Sequence, residues 1–251
     1  METITNSICR FVASLDERKH RRKEGAFKAE GTKCVLDTMP HFNLRALYAT
    51  EEWLAEHPEA SSHLSVRTSR ADLRRMSSLT TPADVIAVYD IPLRTLDPQC
   101  ASSSLVLALD TIQDPGNLGT IIRVADWYGI TDIICSRETA DCYSPKVIQA
   151  TMGSISRVSV HYCDLPSTIQ EMNPPHVYGT FLNGEDIDTA HLSDCGIIVI
   201  GNEGNGISAP VAATVSSRIT IPSFPPGRPT GESLNAAVAT AITISKFRSK
   251  R

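Results

Sequence analysis

Apolar positions recur along the chain in two rhythms, and their alternation predicts an α/β protein. Continuous apolar runs such as Leu105-Val106-Leu107-Ala108-Leu109 and Ile197-Ile198-Val199-Ile200 read as strands buried on both faces. Further strands are expected at Arg45–Ala49, Leu64–Arg67, Asp84–Tyr89, Ile130–Cys135, Val158–Val160, Val177–Leu182 and Arg218–Ile221. Between them the spacing turns helical. Residues 7–24 read as one helix with Ile8, Phe11, Val12 and Leu15 on a single face. Helices follow at Thr32–Met39, from Thr50 through Trp53 and Leu54, and from Ser69, where Asp72 completes a capping-box-like start. After the Leu105–Asp110 strand, Asn117 is placed to cap a helix with Ile121, Ile122, Val124, Ala125 and Trp127 as core candidates. Tyr143-Ser144-Pro145-Lys146 starts a short helix, with Ser as cap and Pro in the first turn.

The stretch 92–104 breaks this pattern with Pro92, Pro98 and the run Ser102-Ser103-Ser104, and reads as a linker. It divides the chain into a smaller N-terminal α/β domain, residues 1–91, and a larger domain, residues 105–251. Strands alternating with helices predict a mostly parallel sheet covered on both faces.

Candidate chemistry gathers near the end. The Ile197–Ile200 strand runs into Gly201-Asn202-Glu203-Gly204-Asn205-Gly206, then a short Ser208–Thr214 helix and the Arg218–Ile221 strand. A Pro/Gly-rich loop leads to Ser233-Leu234-Asn235-Ala236-Ala237-Val238-Ala239, a helix start capped by Ser or Asn. Strand, glycine loop, strand, capped helix is how an open α/β sheet builds a ligand crevice at its strand ends. No lysine follows the glycines as a P-loop requires, and the spacing is not that of a dinucleotide fingerprint, which argues against a nicotinamide-dependent dehydrogenase.

Composition narrows the classes. The chain has 251 residues, 41% hydrophobic and 21% charged, ordinary for a globular protein. It has neither an apolar run of the roughly 20 residues needed to span a bilayer nor a signal-peptide pattern, so no membrane partner is expected. Seven cysteines without a C-x-x-C pair argue against a disulfide framework or zinc site and suggest a reducing, cytoplasmic setting. Asp110 and Asp114 have no third ligand in reach, so no metal is expected. The net charge of −4 hides a local asymmetry. Residues 14–28 hold six Lys/Arg against three Asp/Glu, whereas 141–211 hold eight acids against two bases. Lys19, Arg21, Arg22, Lys23 and Lys28 therefore form a candidate cationic strip for phosphate contact.

The GNEGNGIS loop, the ITIP strand end and the SLNAAVA helix start closely resemble motifs two and three of the SpoU (TrmH-like) RNA ribose methyltransferases, in the SPOUT superfamily. Asp114-Pro115-Gly116-Asn117-Leu118-Gly119-Thr120-Ile121-Ile122-Arg123 is similar to motif one. The likeness is close over 105–247 and looser before that. It implies a trefoil-knotted methyltransferase domain behind an N-terminal α/β RNA-binding domain. It further implies methyl transfer from S-adenosylmethionine to a ribose 2′-hydroxyl by a homodimer. Ribosomal RNA is the expected substrate, because a separate N-terminal α/β domain is commoner in that branch. Transfer RNA, or a non-catalytic RNA-binding or ribosome-assembly factor, is the alternative. By the same resemblance Asn117, Arg123, Glu203, Ser233 and Asn235 form the catalytic set, with Glu203 orienting Arg123. Thr180, Gly201, Ile221 and Leu234 would contact the donor. The chain departs from the family between Ile221 and Ser233, where Pro222–Glu232 is an enlarged loop.

Overall fold

The computed structural model describes residues 4–225, 231 and 233–249. Its first stretch forms α1 (Asn6–Ser14), α2 (Arg18–Glu24), β1 (Ala26–Glu30), α3 (Thr32–Thr38), β2 (Leu44–Ala49), α4 (Glu51–Glu56), β3 (Ser65–Arg67), α5 (Arg70–Met76) and β4 (Val85–Asp90). Next come α6 (Cys100–Ser103), β5 (Leu105–Leu109), α7 (Pro115–Trp127), β6 (Asp132–Cys135), α8 (Pro145–Thr151), β7 (Ser159–Tyr162) and α9 (Leu165–Met172). The last elements are β8 (Val177–Asp186), β9 (Gly196–Ile200), α10 (Ala209–Ala212), β10 (Ser217–Thr220) and α11 (Ala236–Ser249). The enlarged loop lies mostly outside the described residues, as do Lys250 and Arg251.

Two compact units result. The first joins Met1–Leu93 to Asp141–Ser156, and the second holds Arg94–Ala140 with Arg157–Arg251. The sequence reading left 141–156 in the second domain; the fold packs α8 of that segment on β1 instead. The first unit is built on a four-stranded sheet, order β1-β4-β2-β3, with antiparallel β1–β4 and β2–β4 pairs and a parallel β2–β3 pair. All five residues of β1 are buried, since helices cover the strand. The Ser69 start is capped as expected: its Oγ accepts the Asp72 N–H at 3.1 Å and donates to the Asp72 carboxylate.

The helix expected over 7–24 is two helices. The chain breaks at Leu15–Glu17, and the Arg21 guanidinium donates to the carbonyls of Leu15 (2.7 Å) and Asp16 (2.9 Å) left open there. Apolar spacing cannot reveal such a break, because α2 carries no apolar residue and its one buried side chain is Arg21.

The second unit carries a six-stranded sheet, order β10-β8-β9-β5-β6-β7, with every ladder parallel. Its central strands β5 and β9 are buried throughout, as continuous apolar runs require. Helix α7 buries Leu118, Ile121, Ile122 and Ala125, but Trp127 is 84% exposed. Nine residues beyond Leu118 is about half a turn out of phase at 3.6 residues per turn, so Trp127 faces away from the core it was expected to join.

Candidate active site

Three strands of the second unit deliver the site from their C-terminal ends. After β5 the chain turns through Asp110–Asp114 into α7. The cap of α7 is Asp114, whose Oδ1 accepts the Asn117 N–H at 2.8 Å, with Pro115 opening the helix. Asn117 is thus not the cap the sequence suggested. Its side chain is free to reach outward, and Nδ2 donates to Glu203 Oε1 at 2.5 Å.

Glu203 sits in the loop after β9. Gly201 lets that loop fold back: a Cβ there would lie 2.3 Å from the Gly206 carbonyl carbon and 2.4 Å from the Ile207 nitrogen. Asn202 and Gly206 close the turn with paired backbone hydrogen bonds of 3.0 and 2.8 Å. The Asn202 side chain accepts from the Gly204 and Asn205 N–H groups and donates to the Thr111 carbonyl at 2.9 Å. Buried Asp110 accepts from the Ser208 N–H at 2.7 Å and the Thr111 hydroxyl at 3.1 Å. Asn202 and Asp110 therefore tie the β5 turn to the glycine loop, roles the sequence reading did not assign. For Asn202 the available signal was an Asn at the entry to a glycine-rich loop, since Asn side chains build turns of this kind. Thr111 is held at φ 61°, a left-handed conformation rare for a β-branched residue.

The third contributor precedes α11. Asn235 caps that helix, its Oδ1 accepting the Ala237 and Val238 N–H groups at 3.0 and 3.2 Å. Its Nδ2 donates to Asn117 Oδ1 at 2.9 Å and to Glu203 Oε1 at 3.3 Å. Glu203 Oε1 also accepts the Ala236 N–H at 3.1 Å, and Ser233 Oγ donates to the Glu203 carbonyl at 3.0 Å. Four of the five expected catalytic residues are thus linked in one network, with Glu203, Ser233 and Asn235 open to solvent.

Arg123, the fifth, is exposed on α7 and makes no hydrogen bond or ion pair with the described residues. The expected pairing with Glu203 is absent among the described residues; the bonds to the Glu203 carboxylate come from amide donors instead. Six residues separate Arg123 from Asn117, a rise of about 9 Å along the helix.

Beside the network lies a cleft of about 530 Å³. Thr180, Gly201, Ile221 and Leu234, the expected donor contacts, all line it, together with Ile200 and Ile207. The volume is within the roughly 300–1,000 Å³ of small-molecule sites, and apolar walls edged by loop backbone suit a ligand with a flat heterocycle and a polar tail. The Thr180 hydroxyl is already bonded to the Val199 carbonyl at 3.1 Å, which leaves its methyl and backbone for a ligand. Among the described residues no cluster of three or more His, Cys, Asp or Glu is placed to hold a metal, and no helix is long and apolar enough to cross a membrane.

The expected cationic strip divides in the first unit. Lys19, Arg22 and Lys23 are exposed; Lys19 and Lys23 make only surface ion pairs with Glu17 (2.8 Å) and Glu24 (3.8 Å), which contribute little. Arg21 and Lys28 are 2% and 1% exposed and leave the strip. Arg21 pairs with Asp141, while Lys28 pairs with Asp16 and Glu30 and donates to the Met76 carbonyl. A cation engaged on all sides inside the fold has no donor to offer a phosphate.

Residues 104–245 match the model of the SpoU rRNA Methylase family, and residues 6–87 match an MRM3-like substrate binding domain. The 23S rRNA (guanosine(2553)-2′-O)-methyltransferase RlmP of Bacillus subtilis (strain 168) is 29% identical over 253 residues, covering 99% of this chain and 98% of that one. A TrmH-family protein from Porphyromonas gingivalis superposes with a TM-score of 0.88 at 37% identity over 100% of both chains. The AdoMet-bound rRNA methyltransferase from Sinorhizobium meliloti superposes with a TM-score of 0.83 at 28% identity, over 99% of this chain and 97% of that one.

Proposed function

The chain belongs to the SpoU rRNA Methylase family, and on that premise we propose that it transfers the methyl group of S-adenosylmethionine to a ribose 2′-hydroxyl of ribosomal RNA. The observation that carries this reading is the Asn117–Glu203–Asn235 network at the lip of the 530 Å³ cleft. Thr180, Gly201, Ile221 and Leu234 would hold the donor, which when bound supplies an electrophilic methyl on a sulfonium sulfur. Glu203 fixes the amides of Asn117 and Asn235, so these side chains meet the incoming ribose already oriented. Arg123 is an unengaged planar donor on the helix that carries Asn117. A guanidinium holds its proton too firmly to serve as the base. It grips the phosphate beside the reacting ribose and aims the hydroxyl.

Residues 1–91, with 141–156 packed into the same unit, serve as the RNA-binding domain, 92–104 as a linker, and the rest of 105–251 as the knotted methyltransferase domain; the match to a substrate binding domain supports the first of these. The return of the C-terminal segment to Asn117 and Glu203 is consistent with the family's trefoil knot. The enzyme works in the cytoplasm as a homodimer, and solvent-facing Trp127 is the residue we assign to the subunit contact.

Incubation with radiolabelled S-adenosylmethionine and total RNA from a deletion strain tests the proposal. Label should enter ribosomal RNA as 2′-O-methyl. Donor binding without any transfer would leave a non-catalytic RNA-binding factor, and label confined to transfer RNA would overturn the substrate assignment.

A further inference from the structure

Arg21 lies in the middle of the basic run, yet its guanidinium is directed into the fold. Nε and Nη2 both donate to Asp141 Oδ2, at 3.1 and 2.6 Å, while Nη1 serves the two carbonyls at the α1–α2 break. Asp141 is 120 residues away in sequence and opens the segment that completes the first compact unit. Its own position is fixed locally. Oδ1 accepts the Tyr143 N–H at 3.0 Å, and its carbonyl accepts the Ser144 N–H at 2.9 Å. The same segment is pinned twice more, by Gln149 Nε2 on the Glu30 carbonyl (2.7 Å) and by the Tyr143 ring 4.8 Å from that of Phe27.

Helix α2 has only seven residues, and Glu17 at its N-cap makes no side-chain capping bond. So short a helix does not hold itself in water. Its orientation is set by what grips it, and Arg21 is its one fully buried side chain. The cations that face solvent, Lys19, Arg22 and Lys23, are carried on this helix.

We propose that Asp141 is a positioning residue for RNA binding: by gripping Arg21 it fixes the angle at which α2 presents Lys19, Arg22 and Lys23 to the phosphate backbone. This rests on the reading of those three cations as phosphate contacts. The idea has a sign that simple electrostatics does not share. Asp141→Asn removes a negative charge from a protein that meets a polyanion, so Coulomb attraction alone makes RNA binding tighter. Loss of the grip on Arg21 makes it weaker.

The experiment measures affinity for an unmodified 23S rRNA transcript by fluorescence anisotropy across a salt series. Integrity of the first unit is checked by hydrogen exchange of β1 and β4, since the donor cleft lies in the second unit, so partial unfolding does not pass for weak binding. Asp141→Asn should raise the RNA Kd and KM about three- to tenfold and flatten the slope of log K against log salt by about one contact, with donor affinity and kcat kept. Asp141→Glu, which retains the charge, should recover much of the affinity. Binding by Asp141→Asn as tight as or tighter than the parent, with the slope unchanged, would overturn the inference. Lys19→Ala, Arg22→Ala and Lys23→Ala combined separate the two levels. If that variant keeps full affinity, the phosphate-contact reading falls and takes this inference with it. If it weakens binding while Asp141→Asn does not, only the role of Asp141 falls.

Discussion

Glu203 shows how much a single carboxylate oxygen can organise. Its Oε1 collects two side-chain amides and the Ala236 N–H, each from a different stretch of chain or a different atom of the α11 start. Glu203→Gln keeps an acceptor oxygen and should leave the melting temperature nearly unchanged, whereas Glu203→Ala frees Asn117 and Asn235. Mispositioning by about 1 Å costs on the order of a hundredfold in rate, and single-turnover methyl transfer should register a loss of that size in the Ala variant. Arg123→Ala should abolish transfer while donor binding by calorimetry stays intact, since none of the cleft-lining residues is Arg123. Arg123→Lys should rescue poorly, because an ammonium lacks the planar fork. A Lys variant with most of the parent rate would mean that a point charge suffices. Three short motifs named the residues that meet at this network, but their bonding was not readable. Asn117 looked like a cap because it precedes a helical pattern; Asp114 does that work because Pro115 fixes the first turn after it.

Among the elements, β1 and α5 are joined by charge in the protein interior. Glu30 accepts from Ser77 and Ser78 just past the end of α5, and Lys28 reaches the last carbonyl of the helix at Met76. Burial pushes the Glu30 carboxyl upward, yet the Lys28 charge and the Ser77 and Ser78 hydrogen bonds outweigh it and hold the pKa below the usual 4.5. A carboxylate depressed in the folded state stabilises the fold above its unfolded pKa, and this contribution disappears as pH falls through the folded value. Glu30→Gln should therefore melt about 2–10 °C lower near pH 7, a loss of about 1–3 kcal/mol, with the gap to the parent closing below pH 4.5. Melting curves by circular dichroism from pH 7 to pH 3 read this directly, and a gap constant with pH would contradict it. Sequence periodicity located most of these elements, because buried strands and amphipathic helices leave repeating apolar positions. It joined α1 to α2, since a break filled by the Arg21 guanidinium leaves no mark on apolar spacing.

For the whole molecule, a basic stretch in the sequence proved to be two things. Lys19, Arg22 and Lys23 stand in solvent, while Arg21 and Lys28 are internal partners of Asp141, Asp16 and Glu30. Charge counting could not separate them, because the partner of Arg21 is 120 residues away. The parallel sheet was legible; the assignment of 141–156 to the first unit was not, because it depends on packing between segments remote in sequence. On the proposal that Trp127 lies at a homodimer contact, Trp127→Glu should shift the sedimentation of the protein toward that of a monomer, and an unaltered profile would overturn that assignment.

The bond between Asn117 and Asn235 spans 118 residues, so the two side chains are made well apart in time. At about 5–20 residues per second, some 6–24 s of synthesis separate the two side chains. Once β10 has been made, the nascent protein has every strand of the sheet and Arg123 but still lacks the amide that completes the network. A chain cut short before Ser233 should therefore keep a full sheet and show no methyl transfer: the fold is complete before the site is.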